Sequence, residues 1–325
     1  MSLLKSLKNP GLWLTLGIML LYGLWPIYTE SDSVREETFT VLRAIVLASS
    51  LNILLGYTGY VSFGHIVFYG LGGYVGMYLI VTKDWSLWPA MVAGGVAAGL
   101  LALALGQAIL RLRGSYFALA TIGINEAMRA FVNQFEPFGA ATGLSVNFRV
   151  YRDYGGALDA LWLTYYIVLG LALANILLSY IIKNSKFGLG LLAIREDEDA
   201  AEVMGVITPR SKTWAYVLSA ILPGAMGVIF FFKNGNIEPS QAFRLHGSIE
   251  LLVMVMLGGY GTVLGPVLGA YGYQRLRGYL LTSDLFKNIQ LSVAGALLLL
   301  IILFIPAGAV GWLRQRFPLL RRYIP

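Results

Sequence analysis

Long apolar stretches separated by short polar connectors dominate the chain. They run approximately over 11–28, 39–56, 60–81, 87–110, 114–133, 161–182, 213–232, 247–258, 262–281 and 289–305. Most approach or exceed the ~20 residues that cross a bilayer as a helix. The stretch 247–258 is too short to span alone at about 1.5 Å of rise per residue. It is joined to the next by Gly258-Gly259-Tyr260-Gly261, so the two form either a re-entrant hairpin or one broken helix that crosses once. The pattern predicts an all-α, polytopic membrane fold in one domain over 1–325. It has about ten transmembrane or re-entrant helices and two glycine-rich helix breaks.

Composition narrows the class. Of 325 residues, 57% are hydrophobic and 13% are charged, about half the charged share of roughly 25% in soluble domains. An ordinary soluble enzyme is excluded, because a soluble surface needs charge to cover it. A disordered chain is excluded by the same oiliness. With no cysteine there is no disulfide framework and no thiolate metal site. Two histidines, His65 and His246, argue against a histidine-based catalytic metal centre. No catalytic set and no metal ligands are assigned. Lys5 and Lys8 precede an apolar run from Leu12 to Trp25, as in a signal peptide. No A-x-A cleavage site follows, and Trp25-Pro26-Ile27-Tyr28 reads as an interfacial aromatic end, so a retained first span is expected.

The net charge of +7 reads as membrane orientation rather than nucleic-acid binding. Lys5 and Lys8 mark the head. Lys183, Lys186, Arg195, Arg210 and Lys212 mark the stretch 183–212, and Arg314, Arg316, Arg321 and Arg322 mark the tail. All three belong on the cytoplasmic side. The loop 29–38, with Glu30, Asp32, Glu36 and Glu37 against Arg35, belongs outside. Both termini inside require an even number of crossings, with ten the first choice and eight the alternative. Arg111 and Arg113 fit an inner loop. The segment 134–160 is read as a periplasmic loop, although Arg149 and Arg152 run against that reading.

Several features could carry function. Gly56, Gly59 and Gly64, with Thr58 and Ser62, make a stretch too glycine-rich for a stable helix. Irregular backbone at membrane depth is tolerated only against protein or a water-filled cavity, where its free N–H and C=O groups can face a polar solute. Leu55-Gly56-Tyr57-Thr58-Gly59-Tyr60-Val61 has an echo in Leu257-Gly258-Gly259-Tyr260-Gly261-Thr262-Val263, and paired interruptions of this kind can mark a substrate pathway. The alternative is a chance likeness between glycine-rich turns. The pairs Gly72/Gly76, Gly95/Gly99, Gly261/Gly265 and Gly265/Gly269 read as helix-packing spacings. His65 follows the first break, either as a functional intramembrane group or as a neutral, hydrogen-bonded core histidine. Neither histidine is read as having a neighbouring carboxylate, so no proton relay is expected. Glu126 and Arg129, spaced i,i+3, are expected to form a structural ion pair. Arg43 is expected to snorkel toward the outer interface.

The stretch from Gly190 to Gly205 reads as one short cytoplasmic helix, ended by Gly205 and Pro209. Ile194, Ala201 and Met204 share its apolar face, and five carboxylates crowd the other. It is either a solvated surface or an apolar knob with a charged rim that seats in the groove of a motor protein. No G-x-x-x-x-G-K-[ST] occurs in the chain, so any ATPase must be a separate subunit.

At this segment a resemblance becomes specific. Ala193-Ile194-Arg195-Glu196-Asp197-Glu198-Asp199-Ala200-Ala201, followed by Gly205, resembles the coupling loop of branched-chain (hydrophobic) amino-acid ABC transporter permeases, the LivM-type subunit more than the LivH-type. Gly56-Tyr57-Thr58-Gly59-Tyr60-Val61-Ser62-Phe63-Gly64-His65 is similar to the family's early glycine motif. Arg113-Gly114-Ser115-Tyr116-Phe117-Ala118-Leu119-Ala120-Thr121 is similar to its R-G-x-Y-F-A-x-x-T segment. Leu257-Gly258-Gly259-Tyr260-Gly261-Thr262 with Gly265-Pro266 and Gly269-Ala270 is similar to its late L-G-G-x-G motif. The chain departs at Tyr60, where the family often has Gln, at Glu238, where it often has Ser, and in the loop Gly139–Gly143, which lacks the usual second glycine.

The resemblance implies a permease subunit, not an enzyme, of an importer of branched-chain or other neutral amino acids in the bacterial inner membrane. It implies a second homologous permease subunit, two ATP-binding subunits and a periplasmic solute-binding protein, in a lipid bilayer and without nucleic acid. This chain would bind no cofactor, and ATP would sit on the partner subunits. Thr58, Ser62, Gly64, His65, Gly258, Gly259 and Gly261 would line or gate the substrate pathway. Arg195, Glu196, Asp197, Glu198, Ala200, Ala201, Met204 and Gly205 would couple to the ATPase. The alternatives are a permease for urea or another small amide, an ion-coupled secondary transporter, a membrane enzyme and a channel.

Overall fold

A computed structural model describes residues 10–282 and 308–316, with isolated positions at 292, 295, 296 and 299. The expected crossing at 289–305, the basic head and most of the basic tail lie outside the described residues. The described chain is built almost wholly of helices. These are α1 (Pro10–Thr29), α2 (Asp32–Thr58), α3 (Ile66–Lys83), α4 (Leu87–Ile109), α5 (Ser115–Gln134), α6 (Phe148–Arg152) and α7 (Ala157–Lys183). They continue as α8 (Lys186–Glu196), α9 (Glu198–Val203), α10 (Thr208–Asn234), α11 (Pro239–Ala242), α12 (Leu245–Gly258), α13 (Gly265–Thr282) and α14 (Gly308–Arg316). Among the described residues, six helices, α1, α2, α3, α4, α7 and α10, are long and apolar enough to cross a membrane. A polytopic all-α architecture therefore stands.

The open question at 247–282 resolves into a helical hairpin. Gly259 and Gly261 take φ of +114° and +74°, a left-handed region that β-carbons disfavour, and the chain reverses there. A β-carbon added at Gly258 would fall 1.7 Å from the Gly265 carbonyl oxygen, and one at Gly269 would fall 1.9 Å from that of Met254. Small residues thus let α12 and α13 lie backbone to backbone.

Helix α2 is the central post, buried along nearly its whole length. Two polar staples tie it to α7. The Tyr57 hydroxyl lies 2.7 Å from the Ser179 hydroxyl, and Asn175 Nδ2 donates to the Val46 carbonyl at 2.6 Å and to Ser50 at 2.8 Å. Helix α10 packs on α3 and α4 through small residues. A β-carbon at Gly72 would meet the Gly224 Cα at 2.4 Å, and one at Gly227 the Tyr69 carbonyl oxygen at 2.0 Å. Residues between α5 and α7 form short turns, α6 and a two-residue bridge in which Leu144 pairs with Ile237 and Ser145 with Asn236.

The single helix expected over 190–205 is two helices. Asp197 adopts an extended conformation (φ −159°, ψ 116°), and its side chain accepts from the Asp199 and Ala200 amides at 2.9 and 3.0 Å. An aspartate that caps its own following turn competes with helix continuation, and that competition breaks the run. The break re-aims the apolar face. Ile194 and Ala201 are buried, but Met204 points outward with 72% of its surface exposed, beside exposed Val203 and Ile207. Gly205 takes φ +89° just past α9.

Candidate functional site

The elbow formed by α8 and α9 is clamped onto the ends of three long helices. Arg195, in the last turn of α8, donates from Nη1 to the Gly56 carbonyl at 3.0 Å. Gly56 lies in the last turn of α2, where carbonyls lack intrahelical partners and a cation is favoured. The guanidinium also binds Glu196 at 2.9 Å and lies 5.9 Å from the centre of the Tyr260 ring. A β-carbon at Gly59 would sit 3.1 Å from Arg195 Cγ, and one at Gly261 would sit 2.7 Å from Arg195 Nη1. Both glycine breaks therefore leave room for the same side chain.

The breaks also touch each other. Asn52 Nδ2 donates to the Thr262 carbonyl, and the Gly261 amide donates to Asn52 Oδ1, both at 2.9 Å. Asn52 is fully buried, so one carboxamide satisfies a donor and an acceptor of the opposite loop. The two sequences that echo each other, 55–61 and 257–263, lie face to face.

A second clamp holds α9. Lys212, at the start of α10, donates to Glu198 Oε1 at 2.5 Å, the Leu110 carbonyl at 2.8 Å and the Tyr60 hydroxyl at 2.9 Å. Its three protons thus meet three acceptors. The Tyr60 hydroxyl in turn donates a hydrogen bond to Glu198 Oε2 at 2.8 Å. The lysine and glutamate side chains are 3% and 13% exposed, so this ion pair is largely desolvated. Outside it, exposed Arg113 makes a two-point contact with exposed Asp199 at 2.8 and 3.2 Å. That hydrogen bond holds the Asp199 carboxyl below its ordinary range and pushes the Arg113 guanidinium up.

The described residues 38–282 lie within the stretch, 38–305, that matches the family model described as "Branched-chain amino acid transport system / permease component". The chain belongs to that family. The permease is 26% identical to the high-affinity branched-chain amino acid transport system permease protein LivM of Salmonella typhimurium, over 94% of this chain and 76% of the relative. It is 27% identical to LivM of Escherichia coli, over 93% and 75%. It is 25% identical to LivH of Escherichia coli, over 82% and 90%. It is a multi-pass membrane transport subunit and not an enzyme.

In the permease, the residues expected along a pathway mostly make protein contacts. Thr58 bonds the Leu54 carbonyl of its own helix at 2.6 Å, and Ser62 and His65 are buried. The His65 ring meets the Phe68 ring edge-on at 5.5 Å. Gly64 abuts the Thr121 carbonyl of α5, where a β-carbon would come within 2.3 Å. Gly258 and Gly259 pack against α13 and Gly308. Of the residues expected to couple to an ATPase, Arg195, Glu198 and Ala201 face the membrane helices, whereas Glu196, Met204 and Gly205 are exposed. Glu126 and Arg129 pair at 3.0 Å on α5, with nearly half of each side chain exposed.

Sequence reasoning misses three contributors. Asn52 is hidden in an apolar run, Lys212 reads only as an orienting charge, and a polar cavity has no mark in the sequence. That cavity, of about 330 Å³, lies between α2, α3, α10, α12 and α13. Arg43 lines it, with the guanidinium stacked 4.4 Å from the Phe230 ring, rather than snorkelling away. His246 does have a carboxylate partner, Glu250 one turn on at 3.2 Å, and Arg277 approaches Glu250 at 3.4 Å. The i,i+4 spacing of His246 and Glu250 is the available signal.

Proposed function

We propose that this permease moves branched-chain or other neutral amino acids across the inner membrane as one of a pair of permease subunits. A periplasmic binding protein supplies the solute, and separate ATP-binding subunits supply the energy. The observation that carries this reading is the elbow of α8 and α9. It presents exposed apolar Val203, Met204 and Ile207 outward, and grips both glycine breaks through Arg195 inward. A partner that seats that knob in a groove pulls on the ends of α2, α10 and the α12–α13 hairpin together. The elbow then faces the cytoplasm, as does the basic stretch 183–212, and 135–156 faces the periplasm. The two breaks, with Thr58, Ser62, Gly64, His65, Gly258, Gly259 and Gly261, act as the gate near the cytoplasmic end. Helix α5 exposes the Glu126–Arg129 pair within a helix of bilayer length, and charges at such depth belong against protein or water rather than lipid. That face suits the second permease and the pathway between the pair.

The test is ATP-driven uptake by the reconstituted complex, with leucine, other neutral amino acids and urea in competition. Deletion of 198–203 is expected to abolish uptake while the permease still reaches the membrane. Retained uptake refutes the coupling role, and competition by urea alone assigns the transporter to small amides.

A further inference from the structure

We infer that the cavity beside Arg43 and Arg244 is a binding station for the carboxylate of a small organic solute. This rests on the transport reading above and deepens it.

Charge imbalance is the first argument. Three guanidiniums, of Arg43, Arg244 and Arg277, and one carboxylate, Glu250, line the cavity. Glu250 is already engaged by Arg277 and His246. Among the described residues, no ion pair is formed by Arg43 or Arg244. The cavity thus carries an uncompensated positive charge equivalent to two cations when His246 is neutral.

Depth is the second argument. Arg43 stands eleven residues into α2, about 16 Å along the axis from its outer end at 1.5 Å per residue. Cations so deep in a bilayer protein are costly and persist where they meet water, a carbonyl or an anionic ligand. Arg43 contributes a planar fork of donors suited to a carboxylate, and the Phe230 ring under it fixes the plane of that fork.

Shape is the third. About 330 Å³ lies at the lower end of the ~300–1,000 Å³ usual for ligand cavities, which suits an amino-acid-sized molecule. The other walls include Leu47, Leu251, Met254 and Phe231, which would cover an aliphatic tail. A smaller cavity of about 200 Å³ shares Gln274 and Arg277 with the first and extends to Glu37 near the outer end of α2. The two cavities thus share a wall at Gln274 and Arg277, toward the end at which α2 begins.

The experiment reads the permease chain directly. Purified permease in nanodiscs is treated with phenylglyoxal, and modification of each arginine is followed by mass spectrometry in the presence of isovalerate, L-leucine, L-leucinamide or chloride. Isovalerate and leucine are expected to slow modification of Arg43 and Arg244 ~3-fold at a concentration about twice the dissociation constant, following 1 + [L]/Kd. Arg111 and Arg210, in the separate cleft at the elbow, serve as unprotected controls. Arg244→Gln is expected to remove the protection at Arg43, and this variant changes an exposed side chain, so folding is preserved. Equal protection by leucinamide or chloride, or none by isovalerate, overturns the proposal. The uptake assay is independent of this one. Carboxylate protection without leucine transport would leave the station standing and refute the substrate assignment.

Discussion

Consider replacing Lys212 by methionine. The ammonium donates three hydrogen bonds and neutralises Glu198 in a pocket where the two side chains are 3% and 13% exposed. Removing one member of such a pair strands a charge and costs about 3–5 kcal/mol. The lower end applies to Lys212→Met, because Tyr60 still donates to Glu198 at 2.8 Å and Arg113 lies 3.6 Å away. Glu198→Gln strands the ammonium instead and falls in the same range of about 3–5 kcal/mol. If the two sites were independent, the double variant would lose roughly 6–10 kcal/mol, enough to unfold most domains. The geometry argues otherwise. With both charges gone, the carboxamide introduced by Glu198→Gln still offers Tyr60 an acceptor. The Leu110 carbonyl is left without its donor, a loss of about 1–3 kcal/mol, and the Tyr60 hydroxyl keeps the bond that it donates to residue 198 while losing the one that it accepts. The double variant should therefore be more stable than either single variant. Equilibrium unfolding in mixed SDS micelles, followed by tryptophan fluorescence, measures all three. Additive losses in the double variant would refute the reasoning that the pair is one desolvated unit. Coupled transport gives a second readout. The double variant keeps α9 in place and should retain most ATP-driven uptake, whereas Lys212→Met alone, with the Glu198 charge stranded under α9, should lose most of it while still folded.

Three further outcomes follow from the same geometry. Asn52→Leu leaves the Gly261 amide and the Thr262 carbonyl buried without partners, at about 1–3 kcal/mol each, and should lower thermal stability in detergent far more than Asn52→Gln does. Gly261→Ala places a β-carbon at φ +74° and 2.7 Å from Arg195 Nη1, so it should uncouple ATP hydrolysis from uptake; unchanged coupling in that variant would deny the contact. The Arg113–Asp199 pair should respond to both pH and salt. Because Arg113 depresses the folded-state carboxyl of Asp199, its contribution is fully present above the ordinary carboxylate range and is lost as pH falls through the depressed value. Lying on the surface, it should also weaken as salt rises from about 0.1 to 1 M, and Asp199→Asn should abolish both dependences in an unfolding titration.

Much of the fold is legible because a bilayer enforces it. Length and apolarity alone locate α1, α2, α3, α4, α7 and α10, since backbone groups in lipid must be satisfied within a helix. The glycine breaks are legible for the converse reason. What escapes a linear reading is local competition and long-range pairing. Asp197 looks like one more carboxylate on a charged face, and only its extended backbone reveals it as a cap that splits the elbow and turns Met204 outward. Arg43 looks like any lone arginine in a span, because the cavity walls come from helices as distant in sequence as α10 and α13. Tyr60 stands out as a departure from the family, but its use does not. Its partners Glu198 and Lys212 lie 138 and 152 residues away, beyond what periodicity can join.

The Asn52 carboxamide has a consequence for building chimeras. It joins positions 209 and 210 residues apart with one donor and one acceptor, so the early and late glycine loops form a matched lock and key. Exchanging either loop with that of a relative breaks the match unless the other travels with it. In this permease the unit that can be inherited or swapped is therefore not a contiguous stretch of chain but the pair, residues 52–61 together with 257–263.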